Sequence, residues 1–158
     1  MLNVLLGMSA GGPWHAVNWV AAGGLGLYIV GVTIFARTEA RPSGRQQLAL
    51  GLIVSLAGIV LLASLPRWVT LREWPQIYVS ANWNLFWGLM AALIGLRLLR
   101  AVVDPRPQYI QSAVRSAIFS LIILDAAVCL AAQDITRSAA ILLLLVPTMI
   151  LGRWVYST

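Results

Sequence analysis

The chain has 158 residues, is 60% hydrophobic and carries charge at only 10% of its positions, against roughly 25% in a soluble domain. Its mean hydropathy is +0.86, and its apolar runs are continuous over about 20 residues, which excludes an ordinary soluble domain and argues against a β-barrel, whose strands alternate. The net charge of +6 comes from 11 arginines with no lysine; because they fall between apolar runs, they read as topology signals and phosphate-headgroup contacts, not as a nucleic-acid surface.

Residues 1–12, MLNVLLGMSAGG, are apolar but too short to span a bilayer. No Lys or Arg occurs from Met1 to Ala36, so the positive region of a signal peptide is missing. The segment reads as the tail of a helix that began upstream, or as a re-entrant piece, broken by Gly11, Gly12 and Pro13. The first full span is expected over residues 14–36, with Trp14 and Trp19 near one interface. Its Gly23, Gly24, Gly26 and Gly31 give a small-residue face for close helix packing, with a ligand groove as the competing use. A polar loop follows in ARTEARPSGR, holding Arg37, Thr38, Glu39, Arg41, Ser43 and Arg45.

The second span is expected over residues 47–65, closed by Pro66. The next stretch, PRWVTLREWPQIYVSANW, is interfacial, marked by Trp68, Trp74, Tyr78 and Trp83. A third span over 78–96 leads into a long polar loop, RLLRAVVDPRPQYIQSAVR, with Arg97, Arg100, Arg106 and Arg115. Pro105 and Pro107 keep part of that loop non-helical. The fourth span, 116–132, contains Asp125 and the single cysteine, Cys129, so a disulfide within the chain is excluded. Residues 133–137 form a turn, and a fifth span over 138–152 is kinked by Pro147. The expected architecture is therefore an all-α polytopic bundle, one domain over residues 1–158, with about five full spans and a partial N-terminal helix.

Five spans place loops 37–45 and 97–115 and the C-terminus on one side, with eight arginines against three on the other. The positive-inside rule makes that side cytoplasmic, in a multi-pass protein of the inner membrane.

Glu39 is one of five acidic residues and stands beside Arg37, Arg41 and Arg45. A carboxylate there would ligate magnesium, which favours oxygen ligands and phosphate oxygens, and arginine forks would take a diphosphate. The competing reading is an ordinary basic loop with one local ion pair. Asp125, an intramembrane carboxylate, is either an interhelical hydrogen-bonding group or part of a polar site. His15 lacks a second ligand and reads as structural; Asp104 reads as a turn-former.

The stretches LNVLLGMSAG, LYIVGVTIFARTEA, DPRPQYIQSAV and GRWVYST together resemble the UbiA-type family of intramembrane prenyltransferases, in its bacterial 4-hydroxybenzoate polyprenyltransferase-like branch. That resemblance implies a bundle of about nine helices around a lipid-facing cavity. It implies transfer of a prenyl group from a prenyl diphosphate to a small acceptor, often aromatic, with Mg²⁺ held by two Asp-rich motifs. On this pattern LNVLLGMSAG looks like the fifth helix, the span ending at Ala36 like the sixth, and ARTEA falls at the second acidic motif. The motif's two aspartates fall on Ala36 and Ala40, leaving Glu39 as the metal ligand and Arg37, Arg41 and Arg45 for the diphosphate. The first motif is absent, and four spans follow Glu39 where the family has three. The resemblance thus implies the C-terminal half of an enzyme whose missing N-terminal helices complete the site, and an inactive isolated chain. The alternatives are a non-catalytic membrane scaffold, alone or as an oligomer, and a degenerate family member; a small transporter would show an internal repeat, and none is visible.

Overall fold

The computed structural model describes residues 16–37, 45–68, 81–132, 135–143 and 146–147. Every regular element among them is helical: α1 (Ala16–Arg37), α2 (Arg45–Ala63), a 3-10 turn (Leu65–Arg67), α3 (Ala81–Val103), α4 (Pro107–Ala132) and α5 (Ile135–Leu143). Four of them, α1 to α4, are long and apolar enough to cross a membrane. Their 22, 19, 23 and 26 residues rise about 33, 28, 34 and 39 Å, against a hydrocarbon core of about 30 Å. The described part of α5 has nine residues, too few to span; the rest of the expected fifth span lies outside the described residues, as do residues 1–15.

The four long helices form a ring in which α1 packs on α2, α2 on α3, α3 on α4 and α4 back on α1, while α5 lies against α4. The sequence dictates this through the spacing of its buried positions. On α2 the buried positions include Leu48, Gly51, Ser55, Gly58 and Leu62; on α4 they include Ile110, Ala113, Ala117, Ser120 and Leu124. Both sets follow alternating steps of three and four, the repeat that keeps one stripe of a helix against its neighbours. The opposite faces stay apolar but exposed, as at Ile53, Val60, Leu85 and Leu96, the pattern of a bundle whose outer surface meets lipid.

Helices α1 and α2 touch backbone to backbone. A Cβ added at Gly58 would lie 2.6 Å from the Tyr28 nitrogen and 2.7 Å from the Gly24 carbonyl oxygen. One added at Gly31 would lie 2.8 Å from the Gly51 carbonyl oxygen. The small-residue face expected on the first span is therefore a packing face at Gly24 and Gly31, and its partner is Gly51, Ser55 and Gly58. Ser55, fully buried, donates its hydroxyl back to the Gly51 carbonyl at 2.8 Å, so no polar group is left open in the seam. At the far end of α2, Trp83 Nε1 donates to the Ala63 carbonyl at 3.1 Å and ties the start of α3 to it. Trp87, one turn on, is buried against Trp83 and Phe86 in edge-on ring contacts.

The long polar loop expected over 97–115 is not a loop. Helix α3 runs through Arg97 and Arg100 to Val103, and α4 starts at Pro107. The reason is local. Proline at the first helical position costs nothing, because its missing N–H would be unpaired there anyway. Each proline disfavours helix only at the residue before it, so Pro105 and Pro107 confine the break to Asp104–Arg106. Within that break Arg106 pairs with Asp104 at 3.0 Å, and Asp104 orders the turn as expected.

Candidate functional site

The ring runs up and down, so the C-terminal ends of α1 and α3 meet the N-terminal ends of α2 and α4. The approach of Gly24 to Gly58 and of Gly31 to Gly51, the Trp83–Ala63 bond at the opposite end and the Arg97–Ser116 bond between α3 and α4 require this. One end of the bundle therefore collects Arg37, Arg45, Arg97, Arg100, Arg106 and Arg115, while Arg67 and, in the first turn of α5, Arg137 stand at the other. Arg37 is the last residue of α1 and Arg45 the first of α2, both exposed. The structure thus brings these two proposed diphosphate ligands to one end of the bundle. Glu39 and Arg41 fall in residues 38–44, outside the described residues, and so does His15.

Below Arg37 lies an apolar groove of about 220 Å³ between α1 and α4, lined among others by Tyr28, Val32, Ala36, Val114, Ala117 and Leu121. Its floor is set by Tyr28. The Tyr28 hydroxyl lies 3.0 Å from the Ala117 carbonyl, to which it can donate, and shares a 2.8 Å hydrogen bond with Ser120 Oγ, whose own hydroxyl also reaches the Ser116 and Ala117 carbonyls at 2.9 and 3.0 Å. The phenol is consumed in holding α1 to α4 and presents only its ring to the groove. What remains is an apolar wall running toward a cationic rim, an arrangement suited to an amphiphile with an anionic head.

Asp125 is less central than its place in an apolar run suggests. Because α4 begins at Pro107, Asp125 lies beyond its midpoint, seven residues or about 10 Å from the Ala132 end. It is half-buried, and the nearby seam to α5 is closed by Ser138, which donates to the Ala126 carbonyl at 2.8 Å. The described carboxylates, Asp104 and Asp125, are separated by most of α4, about 27 Å of helix rise from Pro107, and no three His, Cys, Asp or Glu side chains gather among the described residues. The expected magnesium ligand, Glu39, lies outside the described residues, and the described carboxylates do not by themselves make a magnesium site.

Sequence reading placed Arg97 and Arg100 in a loop and so missed that they share one face of α3 with Leu93 and Leu96. Their spacing of three residues, inside a run rich in leucine and without proline, was the available signal. No family model matches the chain, and no match was found among curated proteins or solved structures.

Proposed function

We propose that the chain is the C-terminal half of a UbiA-type intramembrane prenyltransferase, in which it supplies part of the prenyl-diphosphate site. The reading rests on the resemblance of its sequence stretches to that family. The observation that carries it is the apolar groove between α1 and α4, which reaches Ala36, one residue from Arg37. A prenyl tail would lie along the groove and its diphosphate among Arg37, Arg41 and Arg45. The reaction breaks the allylic C–O bond, and the electron pair departs with the diphosphate. Arginine forks meet that developing charge, and apolar walls keep water from the allylic cation until the acceptor attacks and gives up its proton. On this reading the protein is multi-pass in the inner membrane with its arginine-rich end in the cytoplasm.

The test is prenyl transfer by the chain joined to the N-terminal helices that the resemblance implies. Arg37→Gln with Arg45→Gln should lower kcat/KM about 100-fold, the loss typical of removing charge-stabilising donors. Unchanged kcat/KM would overturn the assignment, and the isolated 158-residue chain should show no turnover with Mg²⁺. A second reading, a degenerate or scaffolding relative, is favoured by Ala36 and Ala40, which stand where the family's second motif carries its aspartates. It requires that the joined protein be inactive with all its arginines in place.

A further inference from the structure

A second cleft lies on the outside of the bundle, where the C-terminal turns of α3 meet the start of α4. It measures about 760 Å³, and its lining includes Leu93, Leu96, Arg97, Arg100, Val103 and Tyr109. Two features separate it from the ordinary lipid-facing surface. Its cations are embedded in an apolar stripe: Leu93 and Leu96 lie below them, Leu99 between them and Val103 beyond them, all exposed. And Arg97 points inward. Its Cα is six residues, about 9 Å, from the end of α3, yet its guanidinium donates to Ser116 Oγ, nine residues or about 14 Å below the start of α4. A snorkelling arginine would reach the other way.

The apolar stretch of α3 from Trp83 to Leu96 rises only about 20 Å, short of a hydrocarbon core of about 30 Å. With Trp83 taken as the anchor at one interface, the two guanidiniums stand at or below the phosphate plane of the other, where an unpaired cation is costly. The carboxylate that lines the cleft does not relieve them, because Asp104 is paired with Arg106 at 3.0 Å. Arg97 keeps further N–H donors beyond the one given to Ser116, and the Arg100 guanidinium has no hydrogen bond or ion pair among the described residues.

We infer that this cleft binds the phosphate of an anionic glycerophospholipid, drawn down between Arg97 and Arg100, with an acyl chain along Leu93 and Leu96. Basic pockets between spanning helices take anionic lipid headgroups in this way. The inference depends on the bundle lying in a bilayer and not on prenyl transfer.

The experiment is native mass spectrometry of the full chain in detergent, titrated with phosphatidylglycerol or phosphatidylcholine. Phosphatidylglycerol should bind in preference. Arg100→Gln, which leaves the Arg97–Ser116 bond in place, should weaken it about 5-fold, and Arg97→Gln with Arg100→Gln about 25-fold. Arg67→Gln, at the opposite end, should change nothing, and circular dichroism should report the same helix content for every variant. Equal binding of the two lipids, or a double variant within about 2-fold of the parent, would overturn the inference. So would displacement of the lipid by millimolar inorganic phosphate or geranyl diphosphate, since either would make the cleft a site for a soluble or substrate phosphate.

Discussion

Tyr28 carries its hydroxyl about 18 Å along α1 from Ala16, to the middle of the bundle, where nothing but protein is present to receive it. Its ring fills the corner between α1, α2 and α4, and its hydroxyl bridges to Ser120 and Ala117. A hydrogen bond between spanning helices contributes about 0.6 kcal/mol on average and up to about 1.7. Tyr28→Phe should therefore destabilise the bundle by that amount in reversible unfolding from mixed micelles, with no change in helix content. Ser120→Ala should cost less, because Tyr28 can still donate to the Ala117 carbonyl, and the double variant no more than Tyr28→Phe alone, because the Tyr28–Ser120 bond is counted in both. Additive losses would show that Tyr28 and Ser120 act separately. Asp125 belongs at this scale too. Its position toward the Ala132 end of α4 sets it apart from the arginines, so Asp125→Asn should leave lipid binding at the Arg97–Arg100 cleft unaltered in the same mass-spectrometric titration.

Between helices, the decisive residues are those with no side chain. Gly58 admits the backbone of Tyr28, and even a methyl group there meets main-chain atoms that cannot swing aside. Gly58→Ala should cost about 1–3 kcal/mol, the range for overpacking, read by the same unfolding measurement. Gly88 on α3 has nothing within 4 Å of an added Cβ; Gly88→Ala should be neutral or stabilising by up to about 1 kcal/mol from helix propensity alone. A comparable loss at both positions would mean that the α1–α2 seam is not the close contact described. These elements also mark what could be read without coordinates. The long apolar runs around α1, α2 and the cores of α3 and α4 were legible because a bilayer demands them, and the glycines of α1 were legible as a packing face. The partner stripe Gly51, Ser55 and Gly58 was not, since one helix's small residues do not name their counterpart. The helical ends from Arg97 to Val103 and from Pro107 to Arg115 were misread as loop because their polarity resembles a connection. Arginine is a good helix former, and only the residue before each proline is barred. Arg37 and Arg45 were legible as a basic rim; the outer cleft was hidden by the same loop reading.

At the scale of the whole molecule, most of the described arginines are sorted to one end, with Arg37, Arg45, Arg100 and Arg106 against Arg67 and Arg137 opposite. An up-and-down ring makes this sorting equivalent to a topology, since each hairpin returns the chain to the same face. Positive charge resists translocation, so the end with Arg106 should remain in the cytoplasm and the end with Arg67 should face outward. The Arg106–Asp104 pair does not alter this, because acidic residues contribute little to orientation. Single cysteines at Arg106→Cys and Arg67→Cys, each with Cys129→Ser, report the two ends. A membrane-impermeant maleimide should label the Arg67 position in intact cells and the Arg106 position only in inverted vesicles. The reverse pattern would place the arginine rim, the α1–α4 groove and the lipid cleft on the outer face. Prenyl-diphosphate substrate would then have to be offered from outside, so the same labelling that orients the bundle also constrains which compartment can supply its ligand.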